Sequence, residues 1–389
     1  MKIMIRSFLP VGQGAFYLEQ FRCGSEKINV VYDCGSDTDV NLVQYQIDDM
    51  FDQGETIHAV FISHLHEDHM NGLTYLMKRC QVKRLFFPLL AKESQISLCL
   101  EYSIRDIVDE DNFFIRFIEN PKEAIEEFFR EHNLDYSITL HPVMPDQMDD
   151  DYDNEWFDQG ENASDRIQVE PAKSGQSVCQ DVVCKYTKEW LYIPFNFREK
   201  KRSEELMEAL VEIFGHPCSL KDLLNACKSN PSTIYRIKNA YKTVSGQLNT
   251  NSLVLFSGCK DLKMVQCAGF DRFWNTYCFH SHCLPSGCLY TGDYEASGTF
   301  KWNELESAYK DYYDYIGCLQ IPHHGSRHNF NIKFLDFPRC ELYIASAGYR
   351  NKHRHPHSSV IKEILVYGKS PIIVNEFPGS AVHLYICYR

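Results

Sequence analysis

The sequence predicts an α/β protein, and three observations predict it. Short apolar runs of strand length alternate with stretches of helical spacing. Several of those runs end directly in histidine, aspartate or glycine. The pattern holds at both ends of the chain, while the middle changes composition.

In order, Lys2 to Phe8 reads as a first strand, followed by the tight glycine turn Val11-Gly12-Gln13-Gly14. Ala15 to Glu19 and Ile28 to Tyr32 read as the next strands, the second running into Asp33-Cys34-Gly35. Asn41 to Gln53 has roughly helical apolar spacing. Val60, Phe61 and Ile62 form a buried strand that ends at Ser63, and His64, His66, Asp68 and His69 follow at once. Val82 to Phe87 is a short strand, Pro121 to His132 an amphipathic helix, and Tyr136 to Leu140 a strand. Ser203 to Phe214 and Ser219 to Tyr241 read as helices, the first with a capped apolar face at Leu206, Leu210 and Ile213. Strands resume at Ser252 to Phe256, Cys288 to Tyr290 and Leu342 to Ala345.

Asp146 to Asp165 holds nine acidic residues and no Lys or Arg, which reads as a solvated insertion. The expected organisation is therefore one domain in two halves, 1–145 and 248–389, around an acidic and helical insertion at 146–247. The 389 residues, with 44% hydrophobic and 13% aromatic content, are ample for a core of that size. No stretch approaches the ~20 apolar residues of a membrane span. The opening lacks a basic segment followed by a long apolar one, so no secretory signal is expected. The 16 cysteines are then read as reduced thiols in the cytoplasm. Those between Cys259 and Cys288, interspersed with His280 and His282, lack paired C-x2-C knuckles and read as loop and core thiols, with a small structural zinc site as the alternative. A formal charge of −13 argues against a protein that coats nucleic acid, and leaves room for a local basic groove.

The chemistry is carried by strand-end clusters. His64-x-His66-x-Asp68-His69 places four metal-ligand side chains within six positions. Buried together without an ion, they would pay a desolvation penalty. Thr291-Gly292-Asp293 offers a carboxylate just past a glycine turn. His323-His324-Gly325-Ser326 offers adjacent imidazoles, one a metal ligand and one a proton donor, with small residues that let a phosphate approach. Tyr349 to His357 crowds Arg350, Lys352, Arg354, His353, His355 and His357 into one loop, which suits an anion.

Together these motifs resemble the metallo-β-lactamase fold, and most closely the nuclease-like domain of ComEC, the bacterial competence channel protein. The matching pieces, in order, are Val11 to Gly14, Asp33 to Gly35, His64 to His69, Asn249 to Leu255, Thr291 to Asp293, His323 to Ser326 and Asn351 to Pro356. The resemblance implies an αββα sandwich with two divalent ions, zinc or manganese, on loops at one edge. His64 and His66 would hold one ion, Asp68 and His69 the other. Asp293 would bridge, and one of His323 and His324, with His323 taken as the ligand, would complete the second site. Asp33 would orient a ligating histidine. Asp68, His324 and His355 are the expected catalytic residues, and Ser326, Arg350, Asn351 and Arg354 the expected substrate contacts.

The chain departs from hydrolases such as glyoxalase II, which carry a further histidine upstream of Thr-Gly-Asp. Asn249 or Asn251 is left to stand in through an amide oxygen, a poorer zinc ligand that suits manganese better. His141 is a less favoured substitute. The membrane helices of ComEC have no counterpart, so the resemblance implies the hydrolytic domain and not DNA uptake.

The expected function is a metal-dependent phosphodiesterase acting on nucleic acid or nucleotides. A metal lowers the pKa of bound water towards ~7 and delivers the hydroxide that attacks phosphorus. His355, or the second histidine of the 323–324 pair, would protonate the leaving oxygen or clamp the phosphate. The acidic insertion would cover the groove or dock a protein partner, as in the effector of a bacterial defence system. The alternatives are a hydrolase of small esters, lactones or phosphodiesters, and a non-catalytic assembly module on the same fold.

Overall fold

The computed structural model describes residues 3–90, 94–96, 98–99, 112–146, 166–184, 186–197, 201–216, 222, 226, 229–243, 252–261, 264–270, 277–278 and 284–388. Two twisted sheets pack face to face, with helices on both outer faces.

The central run of the first sheet has the order Ile138–Met144, Arg84–Pro88, Ala59–Phe61, Glu26–Ser36, Gly14–Cys23, Ile3–Phe8, Val382–Tyr388. The last strand of the chain thus closes against the first. The second sheet runs Trp190–Phe195, Val254–Cys259, Gly287–Tyr290, Ile316–Gln320, Leu342–Ser346, Ser370–Val374. Its last four strands are parallel.

Period-two alternation builds three apolar layers from these strands. Val31, Val60 and Leu85 face outward onto Val43 and Ile47 of the helix Val40–Met50, Leu73 and Leu76 of Leu73–Arg79, and Phe128 of Pro121–Glu131. Their neighbours Tyr32, Phe61 and Phe86 face inward and meet Leu255, Tyr290, Cys318 and Ile344 of the second sheet. Phe256, Leu289, Leu319 and Tyr343 face the other way, onto Trp302 and Leu305 of Thr299–Tyr309 and Ile364 of Ser358–Val366. This is the αββα order that the resemblance implied, within the α/β class that the alternating pattern predicts.

Three strands from the 146–247 segment join the two sheets. Ile167–Val169 and Ala172–Lys173 pair with Ile138–Met144 in the first sheet, and Trp190–Phe195 forms an edge of the second among the described residues. Strands of two or three residues carry no readable periodicity, and Pro194 argues against an interior strand while suiting an edge. The helices Lys201–Phe214 and Pro231–Thr243 pack on each other outside the two sheets. The second lies within the expected Ser219 to Tyr241 span; Asp222, Ala226 and Ser229 are helical as well, and Ser219 lies outside the described residues. Residues 147–165, which hold most of the acidic run, lie outside the described residues, as do Asn249, Asn251, His280, His282 and Cys283. Among the described residues no helix is long and apolar enough to cross a membrane.

Gly35 positions the site. A Cβ there would lie 2.5 Å from the Asp68 carbonyl carbon and the His69 nitrogen, and 2.6 Å from the Glu67 oxygen. All three are backbone atoms of the short helix Glu67–Met70, so none can swing aside. Gly35→Ala is expected to lower stability by about 1–3 kcal/mol, the usual range for overpacking, and to displace Asp68 and His69. Urea denaturation together with metal content checks it. An unchanged midpoint with full metal binding would show that the helix tolerates the methyl.

Candidate metal centre

Five loops meet at one edge of the sandwich. The strand Ala59–Phe61 ends in the segment bearing His64, and His66 stands at the N-cap of Glu67–Met70, whose backbone carries Asp68 and His69. Asp33 lies near the end of Glu26–Ser36, with left-handed backbone at φ 55°. Asp293 follows Gly287–Tyr290 in a turn pinned by Gln320, whose Oε1 accepts from the backbone N–H groups of Thr291 (2.7 Å) and Gly292 (2.8 Å). His323 and His324 follow Ile316–Gln320, and both are left-handed, at φ 48° and 55°. Non-glycine residues in that region are uncommon, and three at one site mark a backbone held in place by its surroundings. A Cβ on Gly325 would lie 2.4 Å from Pro356 Cβ, so glycine is what lets the His355 loop close over this turn.

The side chains converge. His69 Nε2 lies 3.4 Å from Asp293 Oδ1 and 3.6 Å from Asp68 Oδ2. His324 Nε2 lies 3.1 Å from Asp68 Oδ2. His64 Nε2 and His323 Nε2 each lie 3.7 Å from Asp293 Oδ2. The two oxygens of Asp293 therefore face different imidazoles, His69 on one side, His64 and His323 on the other. Two sets of three donors each lie within 4.8 Å of one another: His64, Asp68 and His69, and His69, Asp293 and His324.

Around them sits a second ring of hydrogen bonds. Asp33 Oδ2 lies 2.8 Å from His69 Nδ1, and the same carboxylate accepts from the Ser63 backbone N–H (2.6 Å) and hydroxyl (2.7 Å). Ser63 Oγ is 3.0 Å from His64 Nδ1. Ser252 Oγ accepts from the Asp293 N–H at 2.9 Å, and Asn329 Nδ2 donates to the Asp293 carbonyl at 2.8 Å. His324 Nδ1 lies 2.8 Å from the Ser346 carbonyl, which fixes Nδ1 as the donor and turns Nε2 inward.

The donor set fits divalent cations. His64 Nε2, His69 Nε2 and Asp293 Oδ1 are buried without hydrogen-bond partners, and all three point into the same space. Buried polar atoms are rarely left so without a function. Burial, then the His69 charge, holds His64 well below the ordinary histidine range, so its imidazole is neutral. Burial alone would raise Asp293, but His323, His69 and His64 together pull it well below the carboxylate range. Neutral imidazole and ionised carboxylate are the forms that bind metal. Burial likewise opposes a charge on His69, yet Asp68, Asp33 and Asp293 raise it well above the usual value. Three carboxylates in one buried cluster demand positive charge among them.

Other expected residues fall differently. His66 is half-buried, its ring 4.8 Å from that of His64, and it belongs to neither set of three. His324 groups with His69 and Asp293, whereas His323 stands beside Asp293 with its ring 5.7 Å from that of His355. Asn351 staples its own loop, donating to the carbonyls of Gly348 (2.8 Å) and His355 (2.6 Å) and accepting from the His355 N–H (2.8 Å). The Ser326 hydroxyl accepts from the His328 N–H. Arg350 and Arg354 are exposed on the same loop as His355. Burial, then His323, His324 and His353, pushes His355 down to about 4. A neutral imidazole at pH 7 offers an N–H or a lone pair, not a proton to hand over. His141 lies within the strand Ile138–Met144, stacked on Phe86, and in neither set.

Ser63, Ser252, Gln320 and Asn329 were not singled out in the sequence. Ser63 alone carried a signal, since it separates the apolar strand from the first histidine.

An αββα sandwich with histidine and aspartate loops gathered at one edge defines the metallo-β-lactamase fold, here with added helices. In agreement, residues 10–94 match the family model described as the metallo-beta-lactamase superfamily. No curated protein matches the sequence. Among solved structures, unliganded yeast PDE1 is similar at 9% identity and a TM-score of 0.42, covering 100% of both chains. Metallo-beta-lactamase SMB-1 bound to 2-mercaptoethanesulfonate is similar at 9% identity and a TM-score of 0.27, over 82% of this chain and 79% of that one. Rm3 metallo-beta-lactamase is similar at 10% identity and a TM-score of 0.27, over 82% and 77%. Likenesses this loose transfer neither substrate nor residue roles.

Proposed function

We propose that the chain is a metal-dependent phosphodiesterase acting on nucleic acid or nucleotides. The observation that carries this reading is the placement of Asp293, with one oxygen towards His69 and the other towards His64 and His323. Asp68, His69 and His324 would hold one divalent ion, zinc or manganese, and His64, with His66 nearby, the other. Asp293 would face both. Such ions supply Lewis acidity and a lowered pKa for water.

The protein's own residues do the rest. Asp33 and Ser63 keep His69 and His64 turned inward. His355, neutral and half-buried beside His323, would donate its N–H to a non-bridging phosphate oxygen. Arg350, Lys352 and Arg354 are exposed on that loop and give a basic rim to a chain of charge −13, which favours an anionic substrate over a lactone or neutral ester. The ordered motifs shared with the ComEC nuclease-like domain support the same choice.

Elemental analysis of protein purified without added metal is expected to give about two transition-metal ions per chain. Hydrolysis of bis-p-nitrophenyl phosphate and of oligonucleotides should vanish on chelation and return with zinc or manganese. Turnover of lactones alone, or full activity with no bound ion, would overturn the reading.

A further inference from the structure

We infer that Tyr349 and Phe377, with Arg350 beside them, form a stacking wall for a nucleobase of the substrate. The inference deepens the phosphodiesterase reading and rests on it.

The topology places the wall. Gly287–Tyr290, Ile316–Gln320, Leu342–Ser346 and Ser370–Val374 are consecutive parallel strands, so their C-terminal ends share one edge. In sheets of this kind ligands bind outside the carboxyl ends. The first two ends carry Asp293 and His324, the third Tyr349 and His355, and the fourth Phe377. With neighbouring strands ~4.8 Å apart, the loop of Phe377 starts two spacings, about 10 Å, from that of His324. One nucleoside spans such a gap from phosphate to base.

The rings are exposed yet held. Tyr349 is 63% and Phe377 52% exposed, with ring centroids 5.5 Å apart at 62°. The Arg350 guanidinium carbon lies 5.8 Å from the Tyr349 ring centroid. The Tyr349 N–H donates to Glu376 Oε2 at 2.8 Å, which ties the two loops together, and Asn351 fixes Gly348 on the other side. Two adjacent aromatics left in water on a braced loop mark a binding surface. Aromatic rings interleaved with Arg350, Lys352 and Arg354 make the combination that takes single-stranded nucleic acid, bases on the rings and phosphates on the cations. Bases in a duplex are already stacked, so the wall selects unpaired ones.

The test is the double substitution Tyr349→Ala with Phe377→Ala, compared with Tyr349→Trp. On a single-stranded DNA oligonucleotide, kcat/KM of the double variant should fall at least about tenfold further than on methyl p-nitrophenyl phosphate, mainly through KM. Tyr349→Trp should keep the wild-type ratio. An equal fall on both substrates, or no fall, overturns the wall. If the wild type cleaves neither substrate, the phosphodiesterase reading fails on its own, and the wall is judged by anisotropy with labelled oligo(dT). There the double variant should bind at least about tenfold more weakly, and wild-type affinity overturns it.

Discussion

Asp293→Ala is expected to lower phosphodiester turnover by more than about 100-fold and to strip most of the bound metal. Partners that only orient a ligand usually cost ~10–100-fold in affinity or activity, and Asp293 does more than orient. Its two oxygens face His69 at 3.4 Å and both His64 and His323 at 3.7 Å, so its loss removes the one group shared by the two imidazole sets. The fold should survive. The turn is held through backbone atoms, by Ser252 at the Asp293 N–H, Asn329 at its carbonyl and Gln320 at Thr291 and Gly292, and none of these needs the carboxylate. In the metal-free protein His323, His69 and His64 hold the Asp293 carboxylate ionised, so its removal also takes away a favourable interaction. The thermal midpoint of the apo variant is therefore expected at or somewhat below that of the apo wild type. His66→Ala, at a half-buried residue outside both donor sets, should lose less of both activity and metal. Turnover by Asp293→Ala within tenfold of wild type would remove the bridging role, and elemental analysis of the same sample would show whether the metal went with it.

The parts of this site that were legible in the sequence are those encoded by local spacing. His64 to His69 could be read because four ligand side chains follow one apolar strand within six positions. Asp293 could be read because a glycine turn after a strand exposes the next residue. Adjacency gave no direction at His323 and His324. Which imidazole turns inward is decided by left-handed backbone at both residues and by the Ser346 carbonyl, on a strand 22 positions away. Asn351 was an expected substrate contact through the resemblance alone, and what the sequence could not show is that its hydrogen bonds close the loop that presents His355. The boundary at 146 followed a real change in composition. Within the 146–247 segment, Trp190–Phe195 enters the second sheet through pairing with Val254–Cys259, a contact between segments that share no local pattern.

Arg6→Ala is expected to cost about 3–5 kcal/mol of unfolding free energy, the usual penalty for breaking a buried ion pair from one side. Arg6 and Glu19 face each other on paired strands of the first sheet, with Arg6 Nε 2.8 Å from Glu19 Oε1 and both side chains buried. Further partners come from the opposing sheet and the turn leading into it. Arg6 donates to the carbonyls of Ser286 (2.8 Å) and Ser257 (3.1 Å), while Glu19 accepts from the hydroxyls of Tyr192 (2.7 Å), Ser257 (2.7 Å) and Tyr290 (2.9 Å). Burial opposes the guanidinium charge, and Glu19 together with Tyr290, Cys288 and Cys318 more than offsets it. The cluster thus fixes how the sheet carrying His64 sits over the sheet carrying Asp293, and Tyr290 is only three residues from that aspartate. Losing Arg6 would leave Glu19 charged in an apolar layer with hydroxyl donors alone. An apolar replacement of both, Arg6→Met with Glu19→Leu, should recover much of the stability, since buried pairs replaced together are often neutral. If the pair sets sheet register, that double variant regains its urea midpoint but binds metal more weakly than wild type. A single variant within about 1 kcal/mol of wild type would show that the hydroxyl donors suffice to hold Glu19 and that the register is set elsewhere.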